Sequence, residues 1–224
     1  MNSIFVSEQF WAPVTLSLQV SIAATVISFL LGIVAAWRMA SASFPGKSIL
    51  ETMFLLPLVL PPSVIGLILL VLLGHRSWIG QAAEALFHMS LIFHPFGAVI
   101  AAAVVSFPLV YQTLKAGFQS VNQDFKEAAR TQGANEWQVL RYILLPLGFR
   151  SLQAAFILGF ARALGEFGAT MMVAGNIPGR TQTIPTAIYF AVDSGSLPLA
   201  WALACSTILL SFLLLSLSTR LKNE

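Results

Sequence analysis

The segment EAARTQGANEWQVLRYILLP, residues 127–146, interrupts a chain that is otherwise strongly apolar. It combines charged residues, amides and a glycine, whereas 57% of the whole chain is hydrophobic and only 9% is charged. An ordinary soluble domain carries about 25% charged residues. The surroundings of this segment therefore predict a membrane protein, and the segment itself is the centre of a polar loop, residues 115–146.

On both sides of the polar loop, the chain contains stretches long enough to cross a bilayer. A spanning helix needs about 20 predominantly apolar residues. Four such windows lack Asp, Glu, Lys and Arg, and a fifth is apolar apart from Arg150, Arg162 and Glu166. The predicted spans are residues 13–37, 49–73, 96–114, 147–173 and 199–218. The sequence thus predicts an all-α integral membrane protein, a polytopic helical bundle that forms a single domain over residues 1–224.

Lys and Arg are distributed unevenly among the loops. Placing alternate loops on one side collects nine of the twelve Lys and Arg residues there and leaves Arg76 and Arg180 opposite. The side rich in Lys and Arg is usually cytoplasmic. We therefore expect a multi-pass protein of the cytoplasmic (inner) membrane, with its N-terminus outside and its C-terminus and polar loop in the cytoplasm. The net charge of +3 has this topological cause, and we expect no nucleic-acid partner.

Local signals in the polar loop predict two short helices separated by a turn. Asn122 can cap a helix over residues 124–132, and Gly133 can end it, because glycine adopts the left-handed conformation that follows many helices. Asn135 can cap the second helix, with Gln138 completing a capping box. Two adjacent alanines in the first helix leave a low surface that another protein can approach closely. We interpret this element as a docking site; an amphipathic connector on the membrane surface is the alternative.

The same loop matches a known pattern: E-A-A, three residues, G, nine residues, I, one residue, L-P. All seven positions are present, at Glu127, Ala128, Ala129, Gly133, Ile143, Leu145 and Pro146. In this respect the chain resembles the permease subunits of binding-protein-dependent ABC importers. The resemblance implies that the loop couples to a separate ATP-binding subunit, expected in two copies, and that an extracytoplasmic substrate-binding protein delivers the cargo. Five spans are few to enclose a pathway, which favours a homodimer.

Other stretches are similar to molybdate importer permeases. They are FPGK at 44–47, LPLVLPPSVIG at 56–66, SFPLV at 106–110 and ARALGEFGATMMVAGNIPGRTQTIPTAIY at 161–189. Sulfate and thiosulfate permeases are similar in RALGEFG but typically differ from TQTIPTAIY farther on. The resemblance implies ATP-driven import of an oxyanion, molybdate in the first place, with sulfate, thiosulfate or tungstate as the alternative cargo.

Two groups of residues inside the predicted spans are candidates for the transport pathway. Arg162 and Glu166 are four residues apart, so on a helix they share a face and can pair; the pair either orients the fourth span or moderates the electric field along an anion pathway. Pro57, Pro61 and Pro62 remove backbone donors and predict a kink or break in the second span. The freed backbone groups must face protein or a water-filled cavity.

The sequence does not favour an enzyme. It contains no Gly-rich phosphate loop followed by Lys and Ser or Thr, no zinc-protease helix motif and no serine nucleophile elbow. We therefore expect no cofactor, no metal site and no ATP hydrolysis by this chain. A proton-coupled carrier that uses Glu166 is a further alternative, which a requirement for ATP and a binding protein would exclude.

Overall fold

Helices make up most of residues 7–223, the part of the chain that this computed structural model describes. Three single helices are long and apolar enough to cross a membrane: α1 (Glu8–Ser41), α5 (Pro95–Ser120) and α12 (Leu197–Asn223, judged over Leu197–Ser216). Two bent helix pairs raise the number of candidate spans to as many as five. The predicted all-α polytopic bundle is confirmed, and its five spans match the upper count.

The second span is broken at the predicted prolines. It consists of α2 (Lys47–Val59) and α3 (Pro62–Leu73), whose axes differ by 113°. Pro61 caps α3 and Pro62 occupies its first turn, where a missing amide proton leaves no helical hydrogen bond unmade. The predicted break is confirmed, and it is a sharp change of direction.

The fourth predicted span, residues 147–173, is wrong as a continuous helix. α7 (Glu136–Val139), a π-helical turn (Leu140–Leu144) and α8 (Leu145–Leu147) precede Gly148, and α9 (Phe149–Leu164) leaves that glycine at 79° to them. A second interruption at residues 165–167 separates α9 from α10 (Gly168–Ala174). Proline is favoured in the first turn of a helix, which predicts that Pro146 opens the spanning helix, but Pro146 lies in α8 instead. The backbone leaves helical geometry at Gly148 and Gly165, where ψ is 8° and 7°.

The centre of the bundle is formed by α1, α5 and α9, which pack with their backbones close together. A Cβ atom added at Gly159 would lie 2.5 Å from Cγ2 of Val110, and one added at Gly32 would lie 2.9 Å from Cγ1 of the same valine. The small residues of α5 are buried, as Ala98 and Ala101 illustrate. The small residues of the run GAVIAAAVVS at 97–106 predict such a close approach of a neighbouring helix, and the structure confirms it.

Further helices lie at the two ends of the bundle. α6 (Gln123–Thr131) precedes α7 at the end where α1 terminates, which we call the loop end. At the opposite end, α4 (Trp78–Phe87) was not predicted. Residues 185–192, by contrast, predict a short amphipathic helix within a loop, and the structure confirms it as α11 (Ile184–Asp193). The hydroxyl of Ser17 on α1 accepts a hydrogen bond of 2.7 Å from the backbone N–H of Ile184 and so fixes the start of α11.

Candidate functional site

The polar loop folds as two short helices around a turn at Gly133. Asn122 accepts a hydrogen bond of 3.0 Å from the N–H of Asp124 and caps α6. Gly133 has φ of +87°, its N–H donates to the carbonyl of Arg130, and the N–H of Ala134 donates to that of Ala129. This pair of bonds is a Schellman motif. The predicted helix end and the predicted turn are confirmed.

The second short helix begins with the predicted capping box. The side chain of Asn135 accepts from the N–H of Gln138 at 2.9 Å, and the side chain of Gln138 accepts from the N–H of Asn135 at 2.8 Å. Both bonds satisfy donors that a helix start would otherwise leave unpaired. Capping on both sides of Gly133 fixes the angle between α6 and α7.

A bidentate ion pair closes the turn between the two helices. Nε of Arg130 lies 2.7 Å from Oε1 of Glu136, and Nη2 donates to Oε2 at 3.1 Å. The planar guanidinium group suits this two-point contact. The pair joins α6 to α7 directly, so a force applied to α6 reaches α7 through side chains as well as through the turn. Sequence reasoning missed the pair, because its spacing of six residues fits no helical register.

Lys126 anchors α6 to the bundle. It is only 5% exposed, and its Nζ donates to the carbonyl of Phe118 at the end of α5 at 3.3 Å. Burial, and next the positive charge of Arg130, lower the pKa of Lys126. A lysine on a polar helix is more often solvated, and no local pattern predicts that this one points inwards. Because Lys126 faces the bundle, Glu127 and Ala128 face solvent on the other side of α6.

The seven motif residues divide into an exposed part and a packed part. Glu127, Ala128 and Gly133 are exposed, and Ala129 is half-buried. Ala129 and Gly133 line a cavity of about 280 Å³ that also touches Gln138 and Tyr142. In contrast, Ile143 and Leu145 pack against the buried cluster that contains Phe118, Leu140 and Leu144, while Pro146 is exposed. The first part can contact a partner and the second part holds the loop to the core.

Arg162 and Glu166 form the predicted pair, although α9 ends between them. Nη1 of Arg162 donates to Oε2 of Glu166 at 3.0 Å, and Oε1 of Glu166 accepts from the N–H of Ala169 at 2.8 Å. The Glu166 side chain is 2% exposed and that of Arg162 is 32% exposed. Glu166 thus satisfies the backbone at the start of α10 as well as its arginine. The arrangement explains how the chain can break inside the bundle.

The two helix breaks adjoin each other. A Cβ atom added at Gly168, at the start of α10, would lie 2.9 Å from Cβ of Pro62 at the start of α3. One turn farther on, a Cβ atom added at Gly66 would lie 2.6 Å from Cβ of Met172. Pro57 is separate from this contact and lines an apolar cavity of about 360 Å³ among α1, α2 and α5. The candidate pathway residues Pro61, Pro62, Arg162 and Glu166 therefore belong to one region, and Pro57 does not.

Within residues 7–223, no group of three His, Cys, Asp or Glu side chains is arranged to hold a metal ion. Of the histidines near the opposite end, His75 pairs with Glu84 of α4.

Sequence comparison places most of the chain in one family. Residues 28–223 match the model of the binding-protein-dependent transport system inner membrane component. The chain is 53% identical over 214 residues to a putative molybdenum transport system permease protein, YvgM, of Bacillus subtilis (strain 168), covering 96% of this chain and 94% of the other. It is 44% identical to the molybdenum transport system permease protein ModB of Escherichia coli (strain K12), covering 82% and 80%. The sulfate transport system permease protein CysT of Synechocystis sp. is 30% identical, covering 93% and 76%.

Structural comparison gives the same fold. A crystal structure of a bacterial ABC transporter involved in import of the acidic polysaccharide alginate aligns with a TM-score of 0.74 at 16% identity, covering 99% of this chain and 80% of the other. An amino acid ABC transporter crystallised with histidines aligns with a TM-score of 0.68 at 20% identity, covering 99% and 96%.

Proposed function

Because this chain belongs to the family of binding-protein-dependent transport system inner membrane components, we propose that it is the permease subunit of an ATP-driven importer that carries molybdate into the cytoplasm. The observation that supports molybdate is the higher identity to molybdenum permeases than to sulfate permeases over comparable lengths. Tungstate and sulfate are the alternative cargoes. The subunit is a transport component and not an enzyme, and ATP hydrolysis belongs to a separate subunit.

The exposed half of the motif is the contact for that ATP-binding subunit. Ala128 and Gly133 present a small-residue surface beside the exposed carboxylate of Glu127 at the loop end. On the opposite side of α6, Lys126 holds this helix to α5. The Arg130–Glu136 pair and the capping box make α6 and α7 a single rigid unit. This unit continues through the π-helical turn into the buried cluster around Leu140 and Leu144. A displacement of α6 would therefore reach the bundle core without being absorbed in a flexible loop.

The adjoining breaks of the second and fourth spans are the proposed site of the transport pathway. Broken helices at membrane depth occur where backbone lines a cavity or is buried in protein. Arg162 is partly exposed beside them, and a planar guanidinium suits a tetrahedral oxyanion. Glu166 neutralises much of its charge, so an anion would be held only weakly. Weak binding of the anion suits a transport pathway, because a conducted ion must leave as readily as it enters.

Two copies of the chain, related by a twofold axis, would enclose the pathway between their broken helices. Each copy would bind one ATP-binding subunit through its polar loop, and a substrate-binding protein would dock at the opposite end of the pair. This arrangement requires the polar loop in the cytoplasm, as the distribution of Lys and Arg indicates.

Uptake into proteoliposomes tests the proposal. The permease would be reconstituted with its ATP-binding subunit, and radiolabelled molybdate would be supplied with the cognate binding protein. We expect uptake that requires both ATP and the binding protein, and competition by unlabelled molybdate in preference to sulfate. Preferential competition by sulfate would establish the alternative cargo, and uptake driven by a proton gradient alone would establish a secondary carrier.

A further inference from the structure

A cleft at the loop end, outside the proposed pathway, combines basic and aromatic side chains. It has a volume of about 490 Å³ and lies between the last turn of α1 and the α6–α7 unit. Its lining is formed by Trp37, Arg38, Ser41, Ala42, Arg130 and Glu136. None of the seven motif residues lines it, and neither do Arg162 and Glu166, but the Arg130–Glu136 pair that closes the turn does.

The cleft carries more positive than negative charge. The guanidinium of Arg38 stacks over the ring of Trp37 at 4.7 Å, and among residues 7–223 no carboxylate lies within ion-pair distance of it. Arg130 uses Nε and Nη2 on Glu136, which leaves donors on Nη1 for another acceptor. The cleft thus contains two guanidinium groups and one carboxylate, which pairs with Arg130 alone. Arginine donors match the oxygens of a phosphate group in a bidentate contact.

The position of the cleft matches the headgroup layer of a bilayer. α1 has 34 residues and is therefore about 51 Å long at about 1.5 Å per residue, which exceeds the hydrocarbon thickness of about 30 Å. About 20 Å of the helix therefore extends beyond the hydrocarbon, and we place its last turns, with Trp37 and Arg38, outside it because they lie beside the polar loop. Trp37 also makes an edge contact with Trp137 at 6.1 Å between ring centroids. Tryptophan is enriched at this depth because its ring is apolar and its N–H is polar.

An exposed apolar stripe runs along α1 from the cleft towards the membrane interior. Val34 is four residues before Arg38 and is 50% exposed, and Leu30 and Leu31 continue the same face at 59% each. Residues at these spacings lie on one side of a helix. A dissolved phosphate ion would make no use of this stripe, whereas a phospholipid would lay an acyl chain along it while its phosphate occupied the cleft.

We propose that this cleft binds the phosphate of an anionic phospholipid between Arg38 and Arg130, with an acyl chain along the Val34 face of α1. Basic pockets beside spanning helices bind anionic headgroups in this way. Glu136 lines the same cleft and repels the phosphate while it pairs with Arg130, so lipid binding and the closure of the α6–α7 turn are linked. The inference does not depend on the identity of the cargo.

Native mass spectrometry of the assembled transporter tests the lipid site. The complex would be titrated with phosphatidylglycerol, phosphatidylcholine, glycerol 3-phosphate and inorganic phosphate. We expect phosphatidylglycerol to bind more tightly than phosphatidylcholine, and Arg38→Gln to weaken phosphatidylglycerol binding about fivefold, since a basic residue near an anionic surface contributes about 1 kcal/mol. The matched control is Arg76→Gln, which removes an exposed arginine at the opposite end and should leave the affinity unchanged.

A second variant gives a change of the opposite sign. Glu136→Gln removes the competing carboxylate, so phosphatidylglycerol should bind severalfold more tightly, a gain that damage to the fold would not produce. The proposal is overturned if Arg38→Gln binds like the wild type, if Arg76→Gln weakens binding equally, or if Glu136→Gln weakens it. Equal binding of inorganic phosphate or glycerol 3-phosphate would identify a site for free anions and would also overturn it.

Discussion

Gly133 is the position at which a small backbone perturbation should separate folding from coupling. Its φ is +87°, and a Cβ atom added there would meet none of the described atoms within 4 Å. The cost of Gly133→Ala is therefore backbone strain alone, about 1–2 kcal/mol for an L-residue in the left-handed region. Such a cost reduces the population of the observed turn by a factor of about 5–30. The membrane-spanning helices should be unaffected, because the side chain would contact none of them.

Gly46 provides a matched control for this substitution. It has the same φ of +87°, it also has open space around the added Cβ, and it lies in the short turn before α2. Gly46→Ala should therefore impose similar strain outside the proposed contact with the ATP-binding subunit. Gly133→Asn should recover part of the loss, because asparagine enters the left-handed region more readily than other residues with a side chain.

The assay is ATP hydrolysis by the reconstituted complex, stimulated by the loaded binding protein. We expect Gly133→Ala to reduce the stimulated rate several-fold while the amount of inserted permease and its melting temperature stay unchanged. Gly46→Ala should retain the stimulated rate. The reasoning would be refuted if Gly133→Ala coupled normally, or if the two alanine variants lost coupling to the same extent.

Three further substitutions test the other contacts. Arg162→Met leaves the buried carboxylate of Glu166 uncompensated and should destabilise the purified protein by about 3 kcal/mol. This value is near the low end for a buried pair because Arg162 is partly exposed. In a thermal melt, the double variant with Glu166→Gln should recover most of the lost stability. Gly66→Val would drive a side chain into α10 and should cost about 1–3 kcal/mol in the same assay. Burial lowers the pKa of Lys126 in the folded loop, so the folded state loses this proton at a lower pH than the unfolded chain does. The stability of the loop therefore rises with pH between the lowered pKa and the unfolded value of about 10.4. Hydrogen-exchange protection of α6 relative to a Lys126→Met variant should rise over that window.

Each of these tests has an outcome against the account. If the double variant of Arg162 and Glu166 is no more stable than Arg162→Met, the loss does not come from the uncompensated carboxylate of Glu166. Gly165→Ala is the control for Gly66→Val, since the nearest atom to its added Cβ is 3.7 Å away, and equal destabilisation by both would contradict the packing argument. A protection ratio for Lys126 that does not vary with pH would show that burial does not penalise its charge.

Features fixed by local chemistry could be predicted from the sequence. The caps at Asn122 and Asn135, the left-handed turn at Gly133 and the break at Pro61 and Pro62 each depend on a few neighbouring residues, and the structure confirms all of them. The spans followed from the length of the apolar windows. For the caps, the turn and the break, the deciding free-energy term acts within one or two helical turns.

Features that depend on tertiary contacts could not be predicted. The inward direction of Lys126 requires the exposed carbonyl of Phe118 at the end of α5. The interruption after Gly165 requires Glu166 to replace a helical hydrogen bond at Ala169, and a continuous apolar window concealed it. The contact between the starts of α3 and α10 joins residues that are about a hundred positions apart, where spacing along the chain carries no information.

Photo-crosslinking from position 128 tests the central claim most directly. A photoreactive amino acid replaces the exposed Ala128 of α6, and a second variant carries it at Ala82, an exposed alanine of α4 at the opposite end of the bundle. In membranes that contain the whole transporter, we predict a crosslink from position 128 to the ATP-binding subunit and none from position 82. A crosslink to that subunit from position 82, or its absence from position 128, would contradict the docking of the polar loop.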